Sequence, residues 1–390
     1  MSMRKVYLDH SATTPVAAEV LEAMLPYFSQ VPGNPNSIHA WGQESSVALQ
    51  NAREQVASLV GAKPEEIVFT GGGSEADNLA IKGSAFLEKN RGKHLITTAV
   101  EHHAVLDTCK WLEKQGFPLT VLPVNSYGQV TSEQVREALR EDTFLVSVMH
   151  GNNEVGSLNP IQKIGNLCRE KGVLFHVDAV QTAGHVPMDL QELPVDLLTL
   201  SAHKMYGPKG IGALYVRKKT PLVPLIHGGG QEFGLRSGTE NVPSVVGFGA
   251  AAALGARRLK DGSVEEERRL RDLLIAQVLE RNDEVMLTGH PEERLPYHTS
   301  FCIQHIEGEA ILLRLDALGI GASSGSACTS GSLEPSYVLL AMGLDHATAH
   351  GSLRMTLGKD TSEEDVRYAG DSLKQVITVL RKMSPFGRKG

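Results

Sequence analysis

Phe175-His176-Val177-Asp178-Ala179-Val180-Gln181 and Leu197-Leu198-Thr199-Leu200-Ser201-Ala202-His203-Lys204 decide the fold. Each is a short apolar run ending in polar residues, the form of a buried strand whose C-terminal end opens onto a crevice. Five further runs look alike: Ile67-Val68-Phe69, Leu95-Ile96, Leu119 to Leu122, Phe144 to Val148 and Ala213 to Val216. Helical stretches separate them. Leu49, Ala52, Val56 and Leu59 share one face of a segment stopped by Gly61 and Pro64, and Thr131-Ser132-Glu133-Gln134 forms a capping box. The alternation implies an α/β chain, a mostly parallel seven-stranded sheet with helices on both faces.

At 390 residues the chain exceeds the usual size of one core, so two domains are expected. Beyond about residue 255 the pattern changes to a charged helix, Glu265 to Glu280, with Leu270, Leu273, Leu274 and Val278 buried. Short strands and helices follow, ending in a helix opened by Thr361-Ser362-Glu363-Glu364, which reads as a smaller α+β domain. A net charge of -7 with no long basic run argues against a nucleic-acid binder. No apolar run reaches about 18 residues and the N-terminus lacks a signal-peptide pattern, so a cytoplasmic protein with a small substrate and no membrane partner is expected. Cys109, Cys168, Cys302 and Cys328 form no C-x-x-C pair and no cluster, which suggests neither a disulfide framework nor a metal site.

Asp178 and Lys204 stand 26 residues apart at two strand ends, so both can face one pocket. An amine and a carboxylate so placed suit pyridoxal 5′-phosphate: the amine engages the aldehyde, and the carboxylate keeps the ring nitrogen protonated. Taken alone, Asp178 reads equally well as a helix cap and Lys204 as a surface cation. Thr70-Gly71-Gly72-Gly73-Ser74-Glu75 follows a strand and opens a helix, a turn able to cradle a phosphate, to which Ser74 adds a hydroxyl. It lacks the Gly-Lys-Ser/Thr of a nucleotide P-loop. A second glycine-rich segment, His227 to Glu232, leads to Arg236-Ser237-Gly238-Thr239, and with Ser201 and His203 it can complete the donors a phosphate needs.

His102, in Glu101-His102-His103, is placed to stack on a pyridine face and exchange protons, and Asn153, in Asn152-Asn153-Glu154, to bond the cofactor or the substrate. Arg354 alternates with apolar neighbours in Ser352 to Gly358; it is either exposed on an edge or aimed into a cleft, where its fork would take an amino-acid carboxylate. Ala322-Ser323-Ser324-Gly325-Ser326-Ala327-Cys328-Thr329-Ser330-Gly331-Ser332 has no packing pattern and suits a mobile loop carrying one thiol. With a pKa of about 8.5, only roughly 3% of a free thiol is thiolate at pH 7, so a nucleophilic Cys328 needs activation.

Together, Tyr7-Leu8-Asp9-His10-Ser11-Ala12-Thr13-Thr14-Pro15, Gly33-Asn34-Pro35, Glu101-His102, Asn152-Asn153-Glu154, Asp178-Ala179-Val180-Gln181, His203-Lys204, Arg236-Ser237-Gly238-Thr239, Ser323 to Thr329 and Arg354 resemble the cysteine desulfurases, in order from about residue 7 to 360. The chain is similar to the group with a longer cysteine loop, which supplies sulfur for iron-sulfur cluster assembly; the Arg-x-Gly-His-x-Cys pattern of the other group is absent. The resemblance implies a fold-type I pyridoxal 5′-phosphate enzyme and a homodimer. Residues 15–256 would form the large cofactor-binding domain, and residues 1–14 and 257–390 the small one, which carries the cysteine loop at about 321–333. It places Gly73, Ser74, His102, Asn153, Asp178, Gln181, Ser201, His203 and Lys204 around the cofactor, with Thr239 reaching the phosphate of the partner subunit's cofactor. Asn153 and Arg354 would bind L-cysteine, and Cys328, Lys204 and His102 would be catalytic. Sulfur would pass to Cys328 as a persulfide, leaving L-alanine, and then to a scaffold or other acceptor protein.

Three departures stand out: Gly73-Ser74 where the family has Ala-Thr, Val180 where Thr is frequent, and His150-Gly151 before Asn152. None removes a reactive group. A related aminotransferase would need no Cys328, a selenocysteine lyase need not persulfidate it, and a non-catalytic scaffold would need none of these groups to be reactive.

Overall fold

The structure, a computed structural model, describes residues 4–324 and 334–383. In chain order the strands of the large sheet are β2 (Ile67–Thr70), β3 (His94–Thr98), β4 (Leu119–Leu122), β5 (Thr143–Ser147), β6 (Leu174–Asp178), β7 (Leu197–Ser201) and β8 (Gly212–Val216). Preceding them is β1 (Val6–Tyr7), and following them are β9 (Val285–Leu287), β10 (His298–Ile303), β11 (Ile320–Gly321) and β12 (Ser352–Thr356).

The seven-stranded sheet has the order β2-β8-β7-β6-β5-β3-β4. Only β8 runs against its neighbours, pairing antiparallel with both β2 and β7. The C-terminal ends of β2, β3, β5, β6 and β7 therefore emerge at one edge. This is the mostly parallel α/β sheet that the apolar runs imply.

Period-2 alternation sends side chains to two helical layers. Phe175, Val177, Leu198 and Leu200 pack with Val56, Val245 and Phe248 from helices Ala40–Leu59 and Val242–Arg258. Those two helices approach closely because position 249 is glycine: a Cβ there would lie 2.6 Å from Ala52 Cα. On the other face, helices Gly73–Ala85 and His103–Lys114 bury Ile81, Val105 and Leu112 against Leu95 and Leu145, and Leu79 against Leu197 and Leu214. Each such fully buried side chain stabilises by about 1.5–3 kcal/mol. His176 points to this second face, where it bonds Ser147 Oγ (2.8 Å) and Thr199 Oγ1 (3.0 Å) and lies 3.6 Å from Asp77 Oδ1.

A separate cluster joins Val6 and Leu8 to Leu270, Leu274, Val278, Phe301, Leu353 and Leu373. Leu273 is only half-buried against it, so the buried stripe of helix Ser263–Arg281 is narrower than the sequence implies. This core surrounds the antiparallel sheet β12-β10-β9, with β1 and β11 as a parallel pair beside it. The capping box at Thr131 is present, with its hydroxyl accepting from Gln134 N and Gln134 Oε1 accepting from Thr131 N.

Residues 8–14 join the two cores. Leu8 O accepts from Thr356 N at 2.7 Å, while Thr14 N donates to His203 O at 2.9 Å and Thr14 Oγ1 accepts from Tyr206 N at 2.8 Å.

Candidate active site

At the shared strand edge lies a cavity of about 470 Å³. It is lined by Gly73, Ser74, His102, Asn153, Asp178, Gln181, His203, Lys204 and Arg354, which the sequence singles out, and by Asp9, Ser11, Asp77 and Ser323, among others. Among the described residues a hollow of similar size between residues 5–15 and 360–365 is mostly apolar.

Lys204 closes the short turn Ala202–Lys204 directly after β7. Its Nζ donates to the carbonyls of Ser11 (2.5 Å) and Ala12 (2.8 Å). Asp178 ends β6, with Oδ1 accepting from Val180 N at 2.9 Å. Burial pushes its carboxyl up, opposed by His102, the Val180 N–H and Lys204. A cation held against it would restore the carboxylate.

His102 is the N-cap of helix His103–Lys114, and its Nδ1 accepts from Ala104 N at 3.1 Å. An acceptor at Nδ1 leaves the proton of a neutral ring on Nε2. Burial, with Lys204 and His103 nearby, holds its pKa below the ordinary value against the pull of Asp178, so the neutral form prevails near pH 7. His203 bonds Thr13 Oγ1 through Nδ1 (3.1 Å) and is pushed down to about 4 by burial and by Lys204 and Lys209.

The turn expected from the sequence to cradle a phosphate is the first turn of helix Gly73–Ala85, whose leading N–H groups have no intrahelical acceptor. Gly72 takes φ +154°, and Gly212 of β8 lies so close that a Cβ on it would be 2.5 Å from the Gly72 carbonyl carbon. A Cβ on Gly73 would lie 3.0 Å from Val180 Cγ2 and 3.4 Å from Ser201 Cβ. Ser201 is thus buried beside Gly73 without lining the cavity. Glu75, the acid in this turn, is neutralised by Arg236, whose Nε donates to its Oε1 at 2.9 Å.

Arg354, on β12, is 3% exposed, which resolves its two readings in favour of the cleft. Nη1 donates to Asn153 O and Nη2 to Asp9 Oδ1, both at 2.9 Å, while Nε is buried with no hydrogen-bond partner among the described residues. Gln181 is fixed from two sides, Nε2 donating to Ser11 O (3.1 Å) and Oε1 accepting from Tyr297 OH (2.8 Å).

Thr239 and Cys328 stand apart from this set. Thr239 is exposed in a neighbouring groove with Gly71, Glu232 and Arg236, and the glycine-rich segment 228–230 does not line the Lys204 cavity either. Cys328 lies outside the described residues, whereas Ser323, five positions before it, lines the cavity. Cys109, Cys168 and Cys302 are buried, and burial pushes their thiols up, Cys168 and Cys302 to about 12.

The sequence reading missed Asp9, Ser11 and Asp77. Asp77 is buried, and burial together with the nearby Asp178 charge pushes its carboxyl well up. Its signal was its spacing: four residues after Gly73 puts it on the helix face that Gly73 presents to the sheet.

The model for aminotransferase class-V matches residues 6–368. A cysteine desulfurase IscS of Dictyoglomus turgidum is 50% identical over 98% of this chain and 97% of its own length, and one of Methanosarcina thermophila is 49% identical over 99% and 95%. The chain belongs to the class-V aminotransferases, among the cysteine desulfurases. Among solved structures, a NifS-like protein superposes with a TM-score of 0.90 at 39% identity, covering 97% of this chain and 100% of that one. A structure of SspA in complex with cysteine gives 0.81, also at 39% identity, over 90% and 99%.

Desulfurases of this family are pyridoxal 5′-phosphate enzymes, and the cavity suits that cofactor. It offers an amine at Lys204, a buried carboxyl at Asp178 that a ring cation would charge, an imidazole at His102, and a glycine-lined helix N-terminus for a dianion.

Proposed function

We propose that this cysteine desulfurase converts L-cysteine to L-alanine with transfer of the sulfur to Cys328, and that the persulfide serves iron-sulfur cluster assembly through an acceptor protein. The observation that carries this reading is the convergence of Lys204, Asp178, His102 and Arg354 on one cavity whose wall includes Ser323, the start of the cysteine-bearing segment.

Gly73, Ser74 and His203 are assigned to the cofactor phosphate end, with Ser201 supporting the turn; Asp178 and Gln181 are assigned to the ring, and His102 to its face. Bound there, pyridoxal 5′-phosphate supplies an electron sink for the charge left at the substrate Cα. Arg354 and Asn153 hold the substrate carboxylate, which fixes Cα toward Lys204. Lys204, poised between two carbonyl acceptors, takes the Cα proton. His102, neutral and protonated on Nε2, is a second proton carrier in the same cavity.

The Cys328 thiolate forms a bond to the substrate sulfur while the carbon–sulfur bond breaks. The electron pair of that bond stays with carbon, which takes a proton, so thiol plus cysteine gives persulfide plus alanine with no external oxidant. Thr239, exposed and outside its own subunit's cavity, suits a role across a homodimer. The exposed apolar side chains of Phe28, Ile38, Trp41 and Phe233 supply surface for such an interface.

The test is the purified holoenzyme with L-cysteine under reductant, assayed for alanine and sulfide together. Equal amounts from the parent, with both lost in Cys328→Ser while the cofactor absorbance still responds to cysteine, are expected. Full sulfide production by Cys328→Ser refutes the assignment.

A further inference from the structure

The two stretches that flank the cysteine-bearing segment are tied to the turns of the active site that carry Asn153 and His102. On the N-terminal side, Ser323 and Arg354 exchange backbone hydrogen bonds, Ser323 N to Arg354 O (3.1 Å) and Arg354 N to Ser323 O (2.7 Å). Arg354 in turn holds the Asn153 carbonyl. On the C-terminal side, Ser336 Oγ donates to Glu154 Oε2, and Tyr337 OH donates to Glu101 O at 2.5 Å. The Tyr337 ring also lies against His103, with centroids 4.9 Å apart. Glu154 follows Asn153, and Glu101 precedes His102.

Glu154 is a buried carboxyl, 2% exposed, that lines no wall of the cavity. Nothing in the reaction requires an acid there, and burial pushes it up to about 7 against the pull of Ser336 and Arg354. A group so costly to bury needs a reason to be there. The Asn152 side chain fixes its backbone, Oδ1 accepting from the N–H groups of Glu154 (2.8 Å) and Val155 (3.0 Å). The Glu154 side chain is left aimed at Ser336, whose hydroxyl also caps helix Tyr337–Ala341 by accepting from Leu339 N at 3.2 Å.

We propose that Glu154, Ser336 and Tyr337 form a positioning latch that ties the chain eight residues after Cys328 to the turns carrying Asn153 and His102, and so sets the approach of Cys328 to the substrate sulfur. The latch touches neither substrate nor cofactor and acts through the placement of the thiol. It rests on the desulfurase reading and deepens it by naming what aligns the nucleophile.

The experiment uses full-length holoenzyme carrying Glu154→Leu with Tyr337→Phe, which removes both donor–acceptor contacts and keeps the site filled. Glu154→Gln, which retains an acceptor for Ser336, is the conservative rescue. Three quantities are measured: KM for L-cysteine, the amplitude of the cofactor absorbance change on adding cysteine, and the single-turnover rate of persulfide labelling at Cys328. Two lost hydrogen bonds should slow labelling and kcat by about tenfold or more, with KM and the absorbance amplitude within about twofold, and Glu154→Gln should stay near the parent. Unchanged labelling overturns the latch, as does a parallel collapse of KM and amplitude, which marks a general structural role. Should the double variant fail to fold, Tyr337→Phe alone, which deletes one oxygen, must still slow labelling by about threefold or the proposal fails. A parent enzyme that yields no sulfide from cysteine would instead remove the desulfurase reading beneath it.

Discussion

Replacing Arg354 by lysine tests the substrate end of the cavity. The guanidinium is 3% exposed, so its hydrogen bonds form out of bulk water, where each bond involving a charged group contributes about 1.5–3 kcal/mol. Its Nη1 and Nη2 already hold Asn153 O and Asp9 Oδ1 at 2.9 Å, so a substrate carboxylate taken bidentately shares this fork with them and uses Nε, the donor without a partner among the described residues. Lysine keeps the charge but loses one of the two directed bonds. One such bond corresponds to roughly 10- to 150-fold in affinity at about 1.4 kcal/mol per decade. KM for L-cysteine should therefore rise by that factor, while kcat at saturation changes by less than about fivefold, because the side chain is assigned to binding and not to bond breaking. Initial rates of alanine formation over a range of cysteine concentrations give both constants, and a thermal melt verifies folding. A KM within about threefold of the parent, in a variant with an unchanged melt, would show that Arg354 serves only to hold Asp9 and the Asn153 carbonyl.

Because burial and Lys204 hold His102 below its ordinary value of 6.5, kcat/KM should fall on an acid limb centred below 6.5 as the ring gains its proton; a limb centred above 7 contradicts this assignment. Arg53 and Glu232 form a bidentate ion pair at 2.7 Å with side chains 5% and 4% exposed, and Arg53→Met should cost about 3–5 kcal/mol by stranding the carboxylate. The urea midpoint should drop, with partial recovery on adding Glu232→Leu, and an unmoved midpoint counts against the pair. Five residues lead from Ser323 to Cys328, a span of at most about 18 Å, which deletion of Gly325 and Ser326 cuts to about 11 Å. Persulfide formation next to Ser323 should persist in the deletion while transfer to a protein acceptor falls by about tenfold, and equal losses in both would sink the reach argument.

The large sheet was legible because strands covered on both faces are continuous apolar runs, and their length separates them from helices. Asp178, His102 and Lys204 were legible because each is a charged or titratable group just beyond such a run. The direction of β8 was not: Ala213 to Val216 reads the same whichever way it pairs. Asp9 and Ser11 were quoted only as part of a motif, since their place depends on residues 8–14 lying beside His203 and Lys204, nearly 200 positions away in sequence. Asp77 sits within a helix, where an acid reads as solvent-facing unless its spacing from Gly73 is weighed. Thr239 and the glycine-rich segment before it line no wall of the Lys204 cavity in this chain, and no local pattern in the sequence separates such glycine-rich turns from those that do.

The geometry of the sheet explains why this site needs both cores. With β8 alone reversed, the large sheet delivers the turn at Gly73, the two histidines, Asp178 and Lys204 to one edge, so the cavity residues assigned to the cofactor all emerge from one sheet. Arg354 comes from the other core, on β12, and Ser323 is tied to it. On the proposed reading the substrate carboxylate is therefore bound from β12, the strand to which Ser323 is tied, and its position relative to the cofactor depends on how the two cores pack. The strap 8–14 sets that docking, pairing with Thr356 on one side and with His203 and Tyr206 on the other, while its carbonyls hold the Lys204 amine. A change in this strap should thus disturb amine, carboxylate and thiol together, whereas a change in the Glu154 latch should disturb the thiol alone.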